Sequence, residues 1–244
     1  MSEQPSASPL RASSSAFLDG LRAALGSVFF YVLLGNYVGI GALSYEFGFD
    51  LGWMVLSTLL IWAAPAQVIL ISTLGTATLI EVAIAVTLSS VRFLPMVAAL
   101  LPMLKHERTR QRDLVLPMHF TAISVWVEGM RLLPAVATER RAAFYNGLGA
   151  GLISSAVIAS AVGYYLAAKL PPLAAATLLF LTPMALLMSV SRNSRTLLDG
   201  LAFGLGLVVG PVVAAQKIGL DLMWTGLIAG TAAYVVHRLR EAMR

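Results

Sequence analysis

From Leu21 to Tyr234 the chain is a succession of apolar runs, each close to the length that crosses a lipid bilayer. A helix that spans the hydrocarbon core needs about 20 mostly apolar residues. Only 12% of the residues are charged, which is about half the share found in soluble domains. The sequence therefore predicts an all-α, polytopic helical membrane protein with six to eight hydrophobic segments, some of them proline-broken or re-entrant. The runs are Val28–Leu43, Leu51–Leu74, Val82–Leu104, Leu114–Leu133, Leu148–Ala168, Leu173–Val190, Leu197–Ala215 and Leu222–Val236.

The bulk composition excludes several classes of protein. A net charge of +5 is expected of a membrane protein whose Lys and Arg gather at cytoplasmic loop ends, so the bilayer and not nucleic acid is the expected partner. The chain has no cysteine, which excludes disulfides and thiolate metal sites. Its histidines are too dispersed for a metal site, and neither a phosphate-binding glycine loop nor a Ser/His/Asp set is present. We therefore expect no enzymatic activity, no cofactor and no metal.

The N-terminal segment differs in composition from the rest. Residues 1–16 are rich in Ser, Pro and Ala, which predicts a disordered tail. They also lack the basic and then apolar pattern of a cleaved signal peptide, so we expect the first membrane helix to be retained. Residues 17–240 are predicted to form a single transmembrane transport domain.

Two membrane topologies agree with the apolar runs. Eight full crossings from a cytoplasmic N-terminus place the basic loop Lys105–Arg112 outside, against the positive-inside rule. If Leu51–Leu74 and Leu114–Leu133 instead enter and leave on the same side, that loop and the loop Arg131–Arg141 lie inside with the N-terminus. Proline and polar residues interrupt both runs, which re-entrant segments buried in protein tolerate. A long helix with a proline kink has the same sequence pattern.

A weak sequence similarity between the two halves of the chain suggests an internal duplication. Phe17–Leu25 resembles Phe144–Leu152, and a proline interrupts an apolar run in each half of the chain. Transporters are often built from two such repeats, which would here cover residues 17–104 and 141–240. Coincidence in a chain rich in Gly, Ala and Leu is the alternative. Glycines four residues apart also predict close helix packing, at Gly35/Gly39, Gly147/Gly151, Gly206/Gly210 and Gly226/Gly230.

The strongest cluster of candidate site residues surrounds Pro65. Proline removes a backbone donor and leaves the carbonyl of Ile61 without its helical partner. Gln67 adds an amide that both donates and accepts, and Trp62 precedes the break. An amino-acid zwitterion needs such a mixture, with donors or a helix N-terminus for the carboxylate and carbonyls for the ammonium. The alternative is a structural kink in which Gln67 bonds between helices.

Arg92 is the second candidate, because it lies in the middle of an apolar run, where a charge is costly. It is predicted to hold a substrate carboxylate, or else to form a structural ion pair with one of the acids Glu81, Glu128 and Asp199. Ser89 and Ser90 beside it bond to backbone carbonyls or line a pathway. His119 with Glu128 suggests a proton relay, since His titrates near neutral pH. The further candidates for substrate binding are Asn36 and Pro183.

The motifs resemble those of the AzlC family of branched-chain amino acid permeases. Trp62–Gln67 resembles the family's aromatic-Ala-Gly-Ala-Ser-Gln motif, and Ser90–Phe93 stands where the family has Asn-Leu-Arg-His. Phe17–Leu25 resembles its opening, and Leu179–Ser189 resembles the proline-containing stretch of its second half. The chain departs from the pattern at Ala64-Pro65-Ala66, at Phe93 and at Thr121-Ala122-Ile123, where the family has Thr-Asp-Glu.

This resemblance implies export of valine, leucine or similar hydrophobic amino acids across the bacterial inner membrane. We expect a secondary transporter that is driven by the proton gradient. The resemblance also implies a partner, a small AzlD-type membrane subunit. Two functions of other classes remain open from the residues alone: a channel or passive pore for small solutes, and a non-transporting membrane assembly subunit.

Overall fold

The computed structural model describes residues 9–75, 77–106, 109–171, 173–174, 177, 180, 184, 187–188, 191, 196–216 and 221–242. These residues are almost entirely helical, and no β-strand forms among them, which confirms the all-α prediction. The helices are α1 (Pro9–Gly26), α2 (Val28–Glu46), α3 (Leu51–Ile61), α4 (Ala64–Thr73), α5 (Leu79–Ser90), α6 (Phe93–Leu104), α7 (Gln111–His119), α8 (Ile123–Leu132), α9 (Arg141–Lys169), α10 (Leu197–Ala215) and α11 (Asp221–Ala242). Helix α1 begins at Pro9, inside the segment 1–16 that the composition predicts to be disordered.

Within the described part, three helical segments are long and apolar enough to cross a membrane. They are Val28–Glu46, Thr138–Lys169 and Leu197–Ala215. A fourth crossing results if α5 and α6, which meet at an angle of 45°, form one broken span. The runs Leu51–Leu74 and Leu114–Leu133 are not single helices, because each divides into two short ones. The predicted broken segments are therefore confirmed.

Helices α3 and α4 fold back on each other as a hairpin. The Gln67 amide Nε2 on α4 donates to Ser57 Oγ at 2.9 Å and to Thr58 Oγ1 at 2.7 Å on α3. Ser57 and Gln67 are ten residues apart, and a continuous helix would separate them by about 15 Å. Asp50 and Leu74, at the two ends of the hairpin, line the same groove. This segment therefore bends back at residues 62–63 and does not continue as one helix.

The basic loops that precede α7 and α9 lie at the same end of the bundle as the N-terminal half of α1. Arg140 donates to Ser15 Oγ at 2.9 Å and to Asp19 Oδ2 at 3.2 Å on α1. Arg141 Nη1 donates to the carbonyl of Met103, near the end of α6, at 3.2 Å. These contacts agree with the topology in which the N-terminus and both basic loops share one side of the membrane.

Helices α1 and α2 pack along α9 through glycines that touch the facing backbone. A Cβ added to Gly20 would overlap the carbonyl of Phe144, and one added to Gly147 would overlap that of Phe17. These contacts are reciprocal, and they join equivalent positions of the similar segments Phe17–Leu25 and Phe144–Leu152. A second reciprocal set joins α2 and α9, between Gly41 and the Ser160 carbonyl and between Gly163 and the Val38 carbonyl.

The close packing predicted from glycine spacing is correct for Gly147 and Gly151, which both contact α1. At Gly35, Gly206, Gly226 and Gly230 a Cβ would meet no heavy atom of the described residues within 4 Å, so no described helix approaches these glycines closely. Spacing alone does not distinguish these cases, since it does not say which helix face has a neighbour.

The glycine contacts predict a difference between two substitutions in α2. Gly41→Ala should destabilise the protein by about 1–3 kcal/mol, because the methyl group must displace the α9 backbone. Gly35→Ala should be neutral or slightly stabilising, because its Cβ has open space and alanine favours the helix. Thermal unfolding of the two purified variants in detergent measures the difference. Equal melting temperatures would contradict the packing.

Because both basic loops lie at one end of the bundle, the structure predicts which introduced cysteine can be labelled from outside the cell. In this cysteine-free chain, Gln111→Cys at the start of α7 should resist a membrane-impermeant maleimide in intact cells. Glu46→Cys at the opposite end of α2 should react rapidly, and both should react once the membrane is permeabilised. Rapid labelling of Gln111→Cys in intact cells would favour eight simple crossings instead.

Candidate functional site

Three helix breaks meet around one cavity of about 150 Å³. The breaks are those between α3 and α4, between α5 and α6, and between α7 and α8, and α2 completes the wall. Most of the lining is apolar, from side chains such as Phe29, Val32, Leu33 and Phe93. Since each half-helix ends or begins here, the cavity is where the chain leaves backbone polar groups outside a helical ladder.

The first break lies at Trp62 and Ala63, before the proline. Trp62 has a left-handed backbone with φ of 44°, and Ala63 is extended. Pro65 lies in the first turn of α4, where proline is favoured because its missing N–H has no helical partner to lose. The sequence predicts a break caused by Pro65, whereas the helix already ends at Ile61. The proline therefore starts the second half-helix.

Trp62 is held in its unfavourable backbone conformation by contacts with two other elements. A left-handed non-glycine residue costs about 1–3 kcal/mol. The buried Trp62 ring stacks on Tyr37 of α2, with centroids 6.1 Å apart and planes at 23°. Its Nε1 donates to the carbonyl of Phe120, in the break between α7 and α8, at 3.1 Å. These contacts offset the strain and fix one wall of the cavity.

A second contact joins the same two breaks in the opposite direction. His119, the last residue of α7, places Nε2 at 2.9 Å from the carbonyl of Leu59, near the end of α3. Each broken helix thus has one C-terminal carbonyl that accepts from a ring of the other. His119 is not brought to Glu128, whose carboxylate holds Arg131 at 2.6 and 3.1 Å. The predicted His119–Glu128 relay is therefore not assembled.

The half-helices that begin at the cavity lack side-chain caps. Helices α4, α6 and α8 begin after Ala63, Arg92 and Ala122, and none of the three receives a cap hydrogen bond. Ser27 caps α2 and Thr78 caps α5, whereas α9, which also begins away from the cavity, receives no side-chain cap hydrogen bond. The first N–H groups of an uncapped helix, together with the positive end of its dipole, favour an anion.

Arg92 lies at the break between α5 and α6 and reaches this cavity. Its guanidinium carbon is 5.2 Å from the centre of the Phe93 ring. Its buried Nε makes no hydrogen bond to any described residue. The acids proposed as ion-pair partners are engaged elsewhere: Glu81 caps α5, Glu128 pairs with Arg131, and Asp199 caps α10. In the described part of the chain, Arg92 therefore supplies a positive charge without an ion-pair partner.

The structure brings four of the predicted site residues to the cavity wall: Asn36, Trp62, Pro65 and Arg92. Gln67 lies behind it, fully buried and bonded to Ser57 and Thr58. Ser89 and Ser90 are half-buried outside the wall, and the Ser90 hydroxyl donates to Val86 on its own helix. Pro183 lies outside the described residues.

Sequence reasoning missed the backbone of the half-helix ends and the residues of the third break. These positions are Ala63, Ala64, Phe93, Ala122, Ile123 and Ser124. A signal was available, because alanine is a poor N-cap and stands where a Ser, Thr or Asp would be expected before α4 and α8. A helix start without a capping residue is a start whose N–H groups remain available to a ligand.

A protein-family model described as AzlC protein matches residues 28–170. The chain belongs to the AzlC family. The match runs from α2 through α9 and so includes every wall of the cavity. This family is associated with branched-chain amino acid transport and is transport-related rather than enzymatic. No curated protein and no solved structure matches the chain.

The contact of Trp62 with Phe120 predicts a large effect from a small change in this AzlC protein. Trp62→Phe keeps the ring against Tyr37 but leaves the Phe120 carbonyl without its donor, which should cost about 1–3 kcal/mol. Trp53→Phe, at a side chain on the outer surface of α3, should change stability little. Thermal unfolding of both variants provides the comparison, and equal shifts would contradict the assigned bond.

Proposed function

We propose that this AzlC-family chain is a secondary transporter of the bacterial inner membrane that exports branched-chain or similar hydrophobic amino acids through the cavity at the three helix breaks. The observation that carries the proposal is Arg92, whose charge has no ion-pair partner among the described residues and faces an apolar cavity. A charge at such depth is costly and marks a functional site.

Donors at one side of the cavity match a substrate carboxylate. A guanidinium presents N–H donors in a planar fork that suits a carboxylate, and charge-assisted bonds of this kind are stronger than neutral ones. The uncapped starts of α4 and α8 add backbone N–H groups beside it. Half-helix N-termini that point at an anionic group are a recurring feature of transporter sites.

The remaining wall suits a small hydrocarbon side chain. Phe29, Val32 and Leu33 of α2 line the cavity, and apolar contact with them favours a ligand that leaves water. An apolar cavity of about 150 Å³ accommodates a molecule the size of benzene, so the volume here is of the order that a branched aliphatic chain requires.

The proposal has further parts: net export, coupling to the proton gradient and a small AzlD-type membrane subunit as partner. All three are what the resemblance to AzlC-family permeases implies, while the family match itself supports transport alone. Amino-acid efflux, measured at defined pH gradients in cells that express the chain with and without the subunit, tests these parts separately. Export that proceeds unchanged without the subunit or without the gradient would remove the corresponding part.

Cells loaded with leucine- or valine-containing dipeptides test the central claim. We expect saturable amino-acid efflux from cells with the parent chain, and a loss of at least tenfold with Arg92→Gln, since a charged hydrogen bond contributes about 1.5–3 kcal/mol. Arg92→Lys should recover part of the flux, because it restores the charge without the fork.

The matched control is Arg22→Gln, since the Arg22 side chain is 79% exposed on α1. It should transport like the parent protein. Normal flux with well-inserted Arg92→Gln would exclude the cavity as the substrate site. Flux that rises linearly with concentration would instead favour a channel, and no flux would favour an assembly subunit.

A further inference from the structure

We propose that the cavity recognises the carboxylate and the aliphatic chain of its ligand without requiring the α-ammonium, so that branched-chain 2-oxo acids are ligands as well as amino acids. This inference rests on the proposed function and extends its substrate class. It follows from the positive charge of the cavity wall and from the state of the acceptors at the helix breaks.

Arg92 carries the one full charge among the described residues that line the cavity, and it is positive. The half-helix ends add partial charges of both signs, about half an elementary charge each, positive at the starts of α4, α6 and α8 and negative at the ends of α3, α5 and α7, and these offset one another. None of the described residues that line the cavity is acidic. Glu128 lies one helical turn beyond Ser124, but its two oxygens are held by Arg131. A ligand with net negative charge therefore balances the site better than a zwitterion.

The acceptors at the helix breaks are neutral, and two of the backbone carbonyls are already engaged. An ammonium presents three donors, and backbone carbonyls at helix ends are the usual partners in a membrane site. At the two linked breaks, the Leu59 carbonyl faces the His119 ring and the Phe120 carbonyl accepts from Trp62. The polar side chains that remain on the wall besides Arg92 and Trp62, namely Asn36, Tyr37 and Ser124, are all neutral.

Aromatic faces offer the ammonium little more. A cation gains from lying over an aromatic ring, but the Phe93 ring already faces the Arg92 guanidinium at 5.2 Å. Tyr37 and Trp62 cover one face of each other. Replacing the ammonium with the carbonyl oxygen of a 2-oxo acid exchanges a donor for an acceptor, and acceptors are what the helix N–H groups can bind.

Four compounds with the same branched chain distinguish the contribution of the carboxylate to binding from that of the ammonium. They are leucine, 4-methyl-2-oxopentanoate, 4-methylpentanoate, which has only the carboxylate, and 3-methylbutylamine, which has only the ammonium. Calorimetric titration into the purified full chain at pH 7 measures each dissociation constant. We expect both deaminated acids to bind within about tenfold of leucine or more tightly, and the amine to bind at least about tenfold more weakly.

Binding of leucine together with failure of both deaminated acids would overturn the inference while leaving the proposed function intact. Binding of the deaminated acids without leucine would support the inference and contradict the amino-acid function. Absence of binding by all four would contradict both.

Specific binding is separated from adsorption of an amphiphilic acid by two variants. Arg92→Gln should lose leucine and the deaminated acids together, by about tenfold or more, because the carboxylate is their common group. Arg22→Gln, exposed on α1, should bind all of them as the parent does. Deaminated acids that bind Arg92→Gln as well as the parent would overturn the assignment. Counterflow of labelled 4-methyl-2-oxopentanoate in proteoliposomes then shows whether the bound acid is also carried.

Discussion

Every backbone polar group in the hydrocarbon region must find a partner inside the protein, because lipid offers none. A continuous helix meets this demand by itself, whereas a broken helix leaves carbonyls at one end and N–H groups at the other. In this protein the breaks lie close together, so that side chains of one break bond to the free backbone carbonyls of another. Trp62 bonds the Phe120 carbonyl and His119 contacts the Leu59 carbonyl. What remains beside them is a set of N–H groups around a cavity.

The broken helices are held by an unbroken one. Helix α9 is a single helix from Arg141 to Lys169, and α1 and α2 approach it at glycines where backbone meets backbone. Close approach of this kind gains dispersion contacts and does not depend on the hydrophobic effect, which contributes little between helices in lipid. The reciprocal pairs Gly20 with Phe144 and Gly147 with Phe17 join equivalent positions of the two similar segments. The internal duplication itself stays a prediction.

Polar residues buried in the apolar interior divide into two groups by their partners. Gln67 satisfies its amide N–H groups on Ser57 and Thr58 and so stabilises the α3–α4 hairpin. Arg92 has no such partner in the described chain and reaches the cavity. The sequence presents both as polar interruptions of an apolar run. Only the distances to their neighbours distinguish a residue that stabilises the fold from one that is available to a ligand.

The sequence alone determined the class of the protein, the existence of its breaks and Arg92 as a candidate, because apolar length, proline and a buried charge are local properties. It did not determine where the first break lies, since Trp62 takes its left-handed conformation only with Tyr37 and Phe120 in contact. Nor did it show that Ala63 and Ala122 begin helices at the same cavity, although they are 59 positions apart in the chain. The tertiary structure decided these points, because the contacts of Trp62 with Phe120 and of His119 with Leu59 join breaks that are far apart in the chain.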